Sequence, residues 1–278
     1  MPRTAHAVLW NRADNQAWDG VVDLTGDGVA SWTHLPDVTP NYTVDETYEV
    51  DKAMRAHPEV VAALAERGIT DMSLVTIEVW TYARALMPAQ WRDRRLGWCD
   101  IWYRATPDGN LYAHPVSGLK VVVDLNTLEM LELENDHDHG QPDVHAEYVP
   151  GPWKGDQRTD LKPLHVTQPE GTSLTLEGRE LKWQNWSMRL GFNCREGPVI
   201  YQVAFDDHGT VRDIAYRLSL AEMVVPYRDA SFDHYRRTAF DIGEWGLGFM
   251  TTSLELGCDC LGEIVYVDAV LHDTKGEP

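Results

Sequence analysis

The chain has 278 residues, 43% of them hydrophobic, and a formal net charge of −20. That apolar content supports the core of two compact domains or one large all-β domain. The acidity argues against nucleic acid as a partner, because phosphates need a basic surface, and it reads either as a well-solvated surface or as a field that draws a cationic substrate.

No stretch approaches the roughly 18 apolar residues needed to span a bilayer. Residues 1–10 carry an Arg but no apolar core of the length a secretory leader needs. The expectation is a cytoplasmic protein with no membrane partner. Of the cysteines, Cys99 and Cys194 are expected as buried thiols. Cys258 and Cys260 form a C-x-C, which differs from the C-x-x-C of zinc and redox sites.

Residues 1–40 alternate short apolar runs with turns. Val21-Val22-Asp23-Leu24 followed by Thr25-Gly26-Asp27-Gly28 reads as a strand and a hairpin turn. A piece this small buries little and reads as the end of something larger. Asn41-Tyr42 reads as the start of a strand. Residues 50–67 read as helical, with Pro58 in the first turn of a second helix and Gly68 at its C′ position. Val60, Val61 and Leu64 form its apolar stripe. Strands are predicted at 74–80, 98–103 and 119–125, which makes 41–140 a small α+β module.

Residues 135–159 are polar and rich in Asp, His, Pro and Gly, and the linker is placed at 141–157. Beyond it the chain reads as all β. Ser173-Leu174-Thr175-Leu176 alternates before a turn at Glu177-Gly178. Runs at 199–205 and 211–218 flank Asp206-Asp207-His208-Gly209, a strong hairpin signal. Further strand-like runs fill 254–271.

Two clusters could carry chemistry. His137-Asp138-His139 with His145 has a spacing that can place two imidazoles on one metal. It lies in the most polar part of the chain, with nothing to order a ligand shell, and reads as exposed loop histidines. Asp241 stands between Phe240 and the Gly-rich stretch 243–248. One reading is a partly desolvated carboxylate, with a raised pKa and base strength suited to neutral pH. The other is an Asp that opens a turn by bonding its own backbone.

Ala239-Phe240-Asp241-Ile242-Gly243-Glu244-Trp245-Gly246-Leu247-Gly248 is part of a longer pattern. Glu222-Met223-Val224-Val225-Pro226-Tyr227 precedes it and Leu256-Gly257-Cys258-Asp259-Cys260-Leu261-Gly262 follows. In order and spacing these strings resemble the start of the catalytic β-sandwich of copper amine oxidases, which use a topaquinone cofactor. Arg158-Thr159-Asp160-Leu161-Lys162-Pro163-Leu164, Trp183-Gln184-Asn185-Trp186 and Arg195-Glu196-Gly197 extend the resemblance. Tyr112-Ala113-His114-Pro115-Val116-Ser117-Gly118-Leu119 carries it into the α+β module.

The resemblance implies an architecture in four parts. These are the end of a first small α+β domain (1–40), a second small α+β domain (41–140), a linker (141–157), and an incomplete catalytic β-sandwich (158–278). It also implies oxidation of a primary amine to an aldehyde, with oxygen consumed and ammonia and hydrogen peroxide released. By motif position, Asp241 matches the base that removes a proton from the substrate α-carbon. Tyr227 matches the Tyr that hydrogen-bonds a quinone oxygen and fixes the ring. Ala239 stands where some members carry an aromatic gate, which implies a wider channel. Trp245 replaces a commoner Tyr, and Tyr112 matches an aromatic that reaches the channel from the smaller domain. Cys260 matches a half-cystine whose partner lies downstream, and is expected here as a free thiol. Members of the family are homodimers.

The family's quinone motif is T-x-x-N-Y-[DE]. Asn41-Tyr42 departs from it, with Val38 at the Thr position and Thr43 at the acidic one, and it precedes the Asp241 block where the family order is the reverse. The quinone Tyr and the three copper His are therefore expected beyond Pro278, with no metal ligand in this chain. The polypeptide alone is expected to be inactive. Its unpaired strand edges are expected to aggregate or to need the rest of the sandwich. Two alternatives stand beside this reading: a non-catalytic β-rich binding or assembly module derived from the family, and a small metalloprotein built on His137, His139 and His145.

Overall fold

A computed structural model describes residues 3–142 and 159–278. The chain divides into two units, Met1–Lys154 with Pro226–Ala239, and Gly155–Val225 with Phe240–Pro278. His145, Arg158 and most of the expected linker lie outside the described residues.

The first unit opens with an antiparallel meander of β1 (Thr4–Asn11), β2 (Gln16–Asp23) and β3 (Gly28–Leu35). Asp23 closes the β2–β3 turn, its carboxylate accepting the amides of Thr25 at 2.8 Å and Gly26 at 3.2 Å. Such local bonding is what suits Asp to turns.

Two helices follow, α1 (Val44–Arg55) and α2 (Pro58–Glu66). The Thr43 hydroxyl accepts the Glu46 amide, and the Glu46 carboxylate reaches back to the Thr43 amide at 2.8 Å. This reciprocal cap satisfies two amides that the helix itself leaves unpaired. It starts the helix at Val44, so Asn41-Tyr42 precedes a helix and not the strand expected from sequence, and Tyr42 is buried in the core. Pro58 occupies the first turn of α2. Gly68 follows its end at φ +79°, a left-handed conformation that glycine adopts without strain.

A four-stranded antiparallel sheet completes this unit in the order β4 (Val75–Thr81), β5 (Leu96–Tyr103), β6 (Leu119–Asp124), β7 (Met130–Asn135). Side chains alternate across a strand. Val75, Ile77, Val79, Cys99, Ile101, Leu119, Val121 and Val123 therefore share one face, where they pack with Val50, Met54, Val60 and Leu64 of the helices. Glu78, Trp80, Trp98, Asp100, Lys120 and Glu134 fall on the other face. Residues 226–239 return to that second face. The backbones of Tyr82 and Arg237 form an antiparallel bridge, and the Arg236 guanidinium lies over the rings of Tyr82 and Trp98.

The second unit is built on a five-stranded antiparallel meander. Its strands are β8 (Leu174–Glu177), β9 (Glu180–Trp183), β10 (Trp186–Asn193), β11 (Gly197–Asp207) and β12 (Thr210–Leu218). The β11–β12 turn places His208 at φ 52° and Gly209 at φ 90°. The type I′ form of a two-residue hairpin turn needs both central residues left-handed, a twist that matches the strands.

The runs at 254–271 do not become strands. Among the described residues they hold one isolated bridge, Leu256 to Cys260, and Leu254, Leu256 and Val270 stay exposed. Alternation makes a strand only where a neighbouring edge accepts its backbone hydrogen bonds. Cys99 and Cys194 are buried, and all four cysteines are free thiols. Among the described residues no helix is long and apolar enough to cross a membrane. The architecture is thus a small α+β domain followed by an all-β part.

Candidate functional site

In the second unit Asp241 opens a four-residue helical turn, Asp241–Glu244. Phe240, the residue before it, offers no side-chain cap. Glu222 supplies one from a distance. Its Oε1 accepts the amides of Ile242 and Gly243, each at 3.1 Å, and that of Met223 at 3.0 Å. A carboxylate at the amide end of a helical turn meets both unpaired donors and a favourable dipole. The Asp241 amide donates to the Met223 carbonyl at 3.1 Å. Arg195 fixes Glu222 in turn, pairing with it at 3.6 Å and donating to the Ala221 carbonyl at 3.0 Å. Residues 222–223 and 241–243 of the second unit are therefore parts of one local structure.

Asp241 does not cap its own turn. It is half-buried, and among the described residues no hydrogen bond or ion pair engages its carboxylate. A carboxylate held by its backbone, with both oxygens uncommitted, can accept a proton from a bound molecule.

The glycines that follow serve a close approach. A Cβ on Gly246 would stand 2.6 Å from the Cys194 carbonyl oxygen, and one on Gly248 would stand 2.1 Å from the Asn193 carbonyl oxygen. Removing the side chains lets the Leu247 amide donate to Arg195 at 2.8 Å and the Phe249 amide to Cys194 at 2.7 Å. The loop after Asp241 is thereby sewn to the β10–β11 turn. Trp245, half-buried, ends the helical turn. Glu196 ties the same region to β12. It accepts Asn193 Nδ2 at 2.9 Å, the Ser219 hydroxyl at 2.8 Å and the Arg217 guanidinium. These bonds, led by Arg217, hold its carboxyl down at about 2.

In the first unit Tyr227 lies in a stretch without helix or strand and is 40% exposed. The Arg237 guanidinium stands over its ring at 5.0 Å. Tyr112, 54% exposed, sits on a short 3-10 turn and meets Trp102 edge-on at 5.0 Å. Its hydroxyl donates to Glu78 at 3.4 Å, and Trp102 Nε1 donates to the same carboxylate at 3.0 Å. Burial pushes the Glu78 carboxyl up, while these two donors and the charge of Arg237 pull it down. Ala239 is 1% exposed.

Tyr227, Tyr112 and Ala239 belong to the first unit, and Asp241 and Trp245 to the second. Sequence reasoning missed the roles of Glu222, Arg237 and Glu78. The first two stand inside or beside strings already singled out, and Glu78 has the period that places it opposite the core.

His137 and His139 lie with ring centres 4.1 Å apart, and His137 Nδ1 bonds Asp136 at 2.6 Å. His145 lies outside the described residues. Among the described residues no three His, Cys, Asp or Glu side chains gather as a metal-holding group.

Two family descriptions match the chain. "Copper amine oxidase, N3 domain" matches residues 45–148, and "Copper amine oxidase, enzyme domain" matches 175–278. A primary amine oxidase of Arthrobacter sp. (strain P1) is 43% identical over 99% of this chain and 42% of its own length. A peroxisomal N-methylputrescine oxidase of Nicotiana tabacum is 38% identical over 99% of this chain and 37% of its own. The crystal structure of a copper-containing benzylamine oxidase from Hansenula polymorpha superposes with a TM-score of 0.75 at 27% identity, covering 99% of this chain and 44% of that one. The chain therefore spans about two-fifths of the length of the relatives it matches.

Proposed function

The chain belongs to the copper amine oxidase family, and we propose that it forms part of a primary-amine oxidase that converts primary amines to aldehydes with release of ammonia and hydrogen peroxide. The observation that carries this reading is the Asp241 turn. Glu222 caps it, its glycines sew it to the β10–β11 turn, and the Asp241 carboxylate is uncommitted among the described residues, all within the segment that matches the enzyme domain.

In this reading Asp241 takes the proton from the carbon that bears the amine nitrogen. Tyr227 fixes the cofactor ring through its hydroxyl, and Ala239, Trp245 and Tyr112 line the amine's path. In the complete enzyme, copper and topaquinone supply the electron-accepting chemistry.

We place the residues that would hold copper and quinone outside the described part of this chain. Among the described residues no three His, Cys, Asp or Glu side chains gather. Tyr42, the only Tyr of the sequence that follows an Asn, is 4% exposed inside the α+β core and is followed by Thr43. No step is therefore assigned to copper or quinone on these 278 residues. We infer that the polypeptide by itself turns over no amine. Steady peroxide release from the purified chain, given copper and a primary amine, would disprove this.

Asp241→Asn in the complete oxidase tests the positive part. It keeps the shape of the side chain and removes its basicity, and kcat/KM is expected to fall by about 10²–10⁴-fold. A rate within a few-fold of the parent removes Asp241 as the base. We propose the homodimer as the assembly of the complete protein, on the family's pattern, and light scattering checks it.

A further inference from the structure

Arg237 is held at several points by the first unit. Its backbone bridges to Tyr82, and Thr238 beside it donates to the Thr81 carbonyl at 3.4 Å. Its guanidinium pairs with Asp100, which is buried and also receives Lys120 at 2.6 Å. Lys120 is held again by Asp233 at 3.0 Å, and Asp233 accepts the Gly118 amide at 2.9 Å. The guanidinium also stands 4.8 Å over the Trp80 ring and 5.7 Å over Trp98. Only 8% of the Arg237 side chain is exposed.

Tyr227 is the opposite case. It lies ten residues earlier, in a segment with no helix or strand, and the next residue, Arg228, takes a left-handed backbone at φ 53°. Nothing in the regular structure dictates where its ring goes, so side-chain contacts must. The ring meets the Arg237 guanidinium at 5.0 Å, with His234 tilted beside it at 5.8 Å. A planar guanidinium over the face of a phenol is attractive through both stacking and charge, and more so when desolvated.

We propose that Arg237 is a positioning residue that clamps the Tyr227 ring, with Asp100 and Lys120 as the ionic anchor of the clamp. An otherwise irregular segment thereby presents one orientation of the Tyr227 hydroxyl. The use of that orientation in amine oxidation rests on the function proposed above, whereas the clamp itself does not.

The test is 19F NMR of the 278-residue chain with 3-fluorotyrosine in place of its tyrosines, the Tyr227 signal being assigned by its loss in Tyr227→Phe. In the parent chain this signal is expected away from its position in the unfolded chain. Arg237→Ala is expected to move it more than halfway to the unfolded position, while the other Tyr signals remote from Arg237 keep theirs. Arg237→Lys retains the charge and loses the plane, and is expected to move it part of the way. Should Arg237→Ala fail to fold and collapse every signal together, Arg237→Lys decides. A selective shift of Tyr227 supports the clamp, and an unmoved Tyr227 signal in a folded Arg237 variant overturns it. The measurement needs no turnover. An unchanged rate for Tyr227→Phe in the complete oxidase would remove the catalytic use of Tyr227 and leave the clamp standing.

Discussion

The Glu222 carboxylate accepts the backbone amide of Ile242 at 3.1 Å across twenty residues of chain. Because Ile242 follows Asp241, that bond sets the direction in which the Asp241 side chain leaves the backbone. Glu222→Ala should cost about 1 kcal/mol of stability, the usual effect of losing a helix cap. It should also speed hydrogen exchange at the Ile242 and Gly243 amides. Urea unfolding with site-resolved exchange checks both. Unchanged protection at these two amides would mean that the turn holds without Glu222.

Gly248 allows the most intimate backbone contact of this region. A Cβ there would stand 2.1 Å from the Asn193 carbonyl oxygen, a backbone atom with little freedom to retreat. Gly248→Ala should therefore destabilise the second unit by about 1–3 kcal/mol, the range found for overpacked interiors. In the complete oxidase it should also lower activity, since the loop after Asp241 would shift. A variant as stable as the parent would refute the close approach.

Glu196 gives a pH signature. Its carboxyl is held at about 2 in the folded chain against an ordinary 4.5, mainly by Arg217 and Ser219. A depressed pKa means that the folded state favours the ionised form, so this contribution is complete above 4.5. It is lost as pH falls through 4.5 toward 2. Unfolding free energy should decline over that window, and Glu196→Gln should flatten the decline. Parallel curves for parent and variant would count against the network.

The buried pair of Arg95 and Glu46 offers a different contrast. Arg95 Nη2 meets Glu46 Oε2 at 3.0 Å, and both side chains are almost wholly enclosed. Glu46→Gln alone should cost about 3–5 kcal/mol, since it leaves a buried guanidinium without its counter-charge and weakens the α1 cap. Arg95→Met with Glu46→Leu should lie closer to the parent than the sum of the single changes. Strict additivity in the double-mutant cycle would show that the pair is uncoupled.

Much of the fold was legible where one local rule acts alone. Pro58 and Gly68 bracket α2, and His208-Gly209 makes the hairpin, because each conformation is dictated by one or two residues. The three-residue spacing of Thr43 and Glu46 sets the start of α1 and outweighs the strand propensity of Asn41-Tyr42. The runs at 254–271 have strand composition but no neighbouring edge among the described residues, and no pattern in a single segment reveals whether an edge exists. The candidate site divides in the same way. The string around Asp241 was legible as a motif, whereas its cap from Glu222 and the Arg237 contact with Tyr227 are long-range or side-chain facts that appear only on folding.

Reading the gene past codon 278 tests the central claim most directly. The account predicts, in the same frame or one frameshift away, an Asn-Tyr-Asp or Asn-Tyr-Glu motif followed by a His-x-His pair. Asp241 would then be the base of a complete primary-amine oxidase. A true stop followed by unrelated sequence would contradict it, and the capped Asp241 turn would then belong to a protein that oxidises no amine.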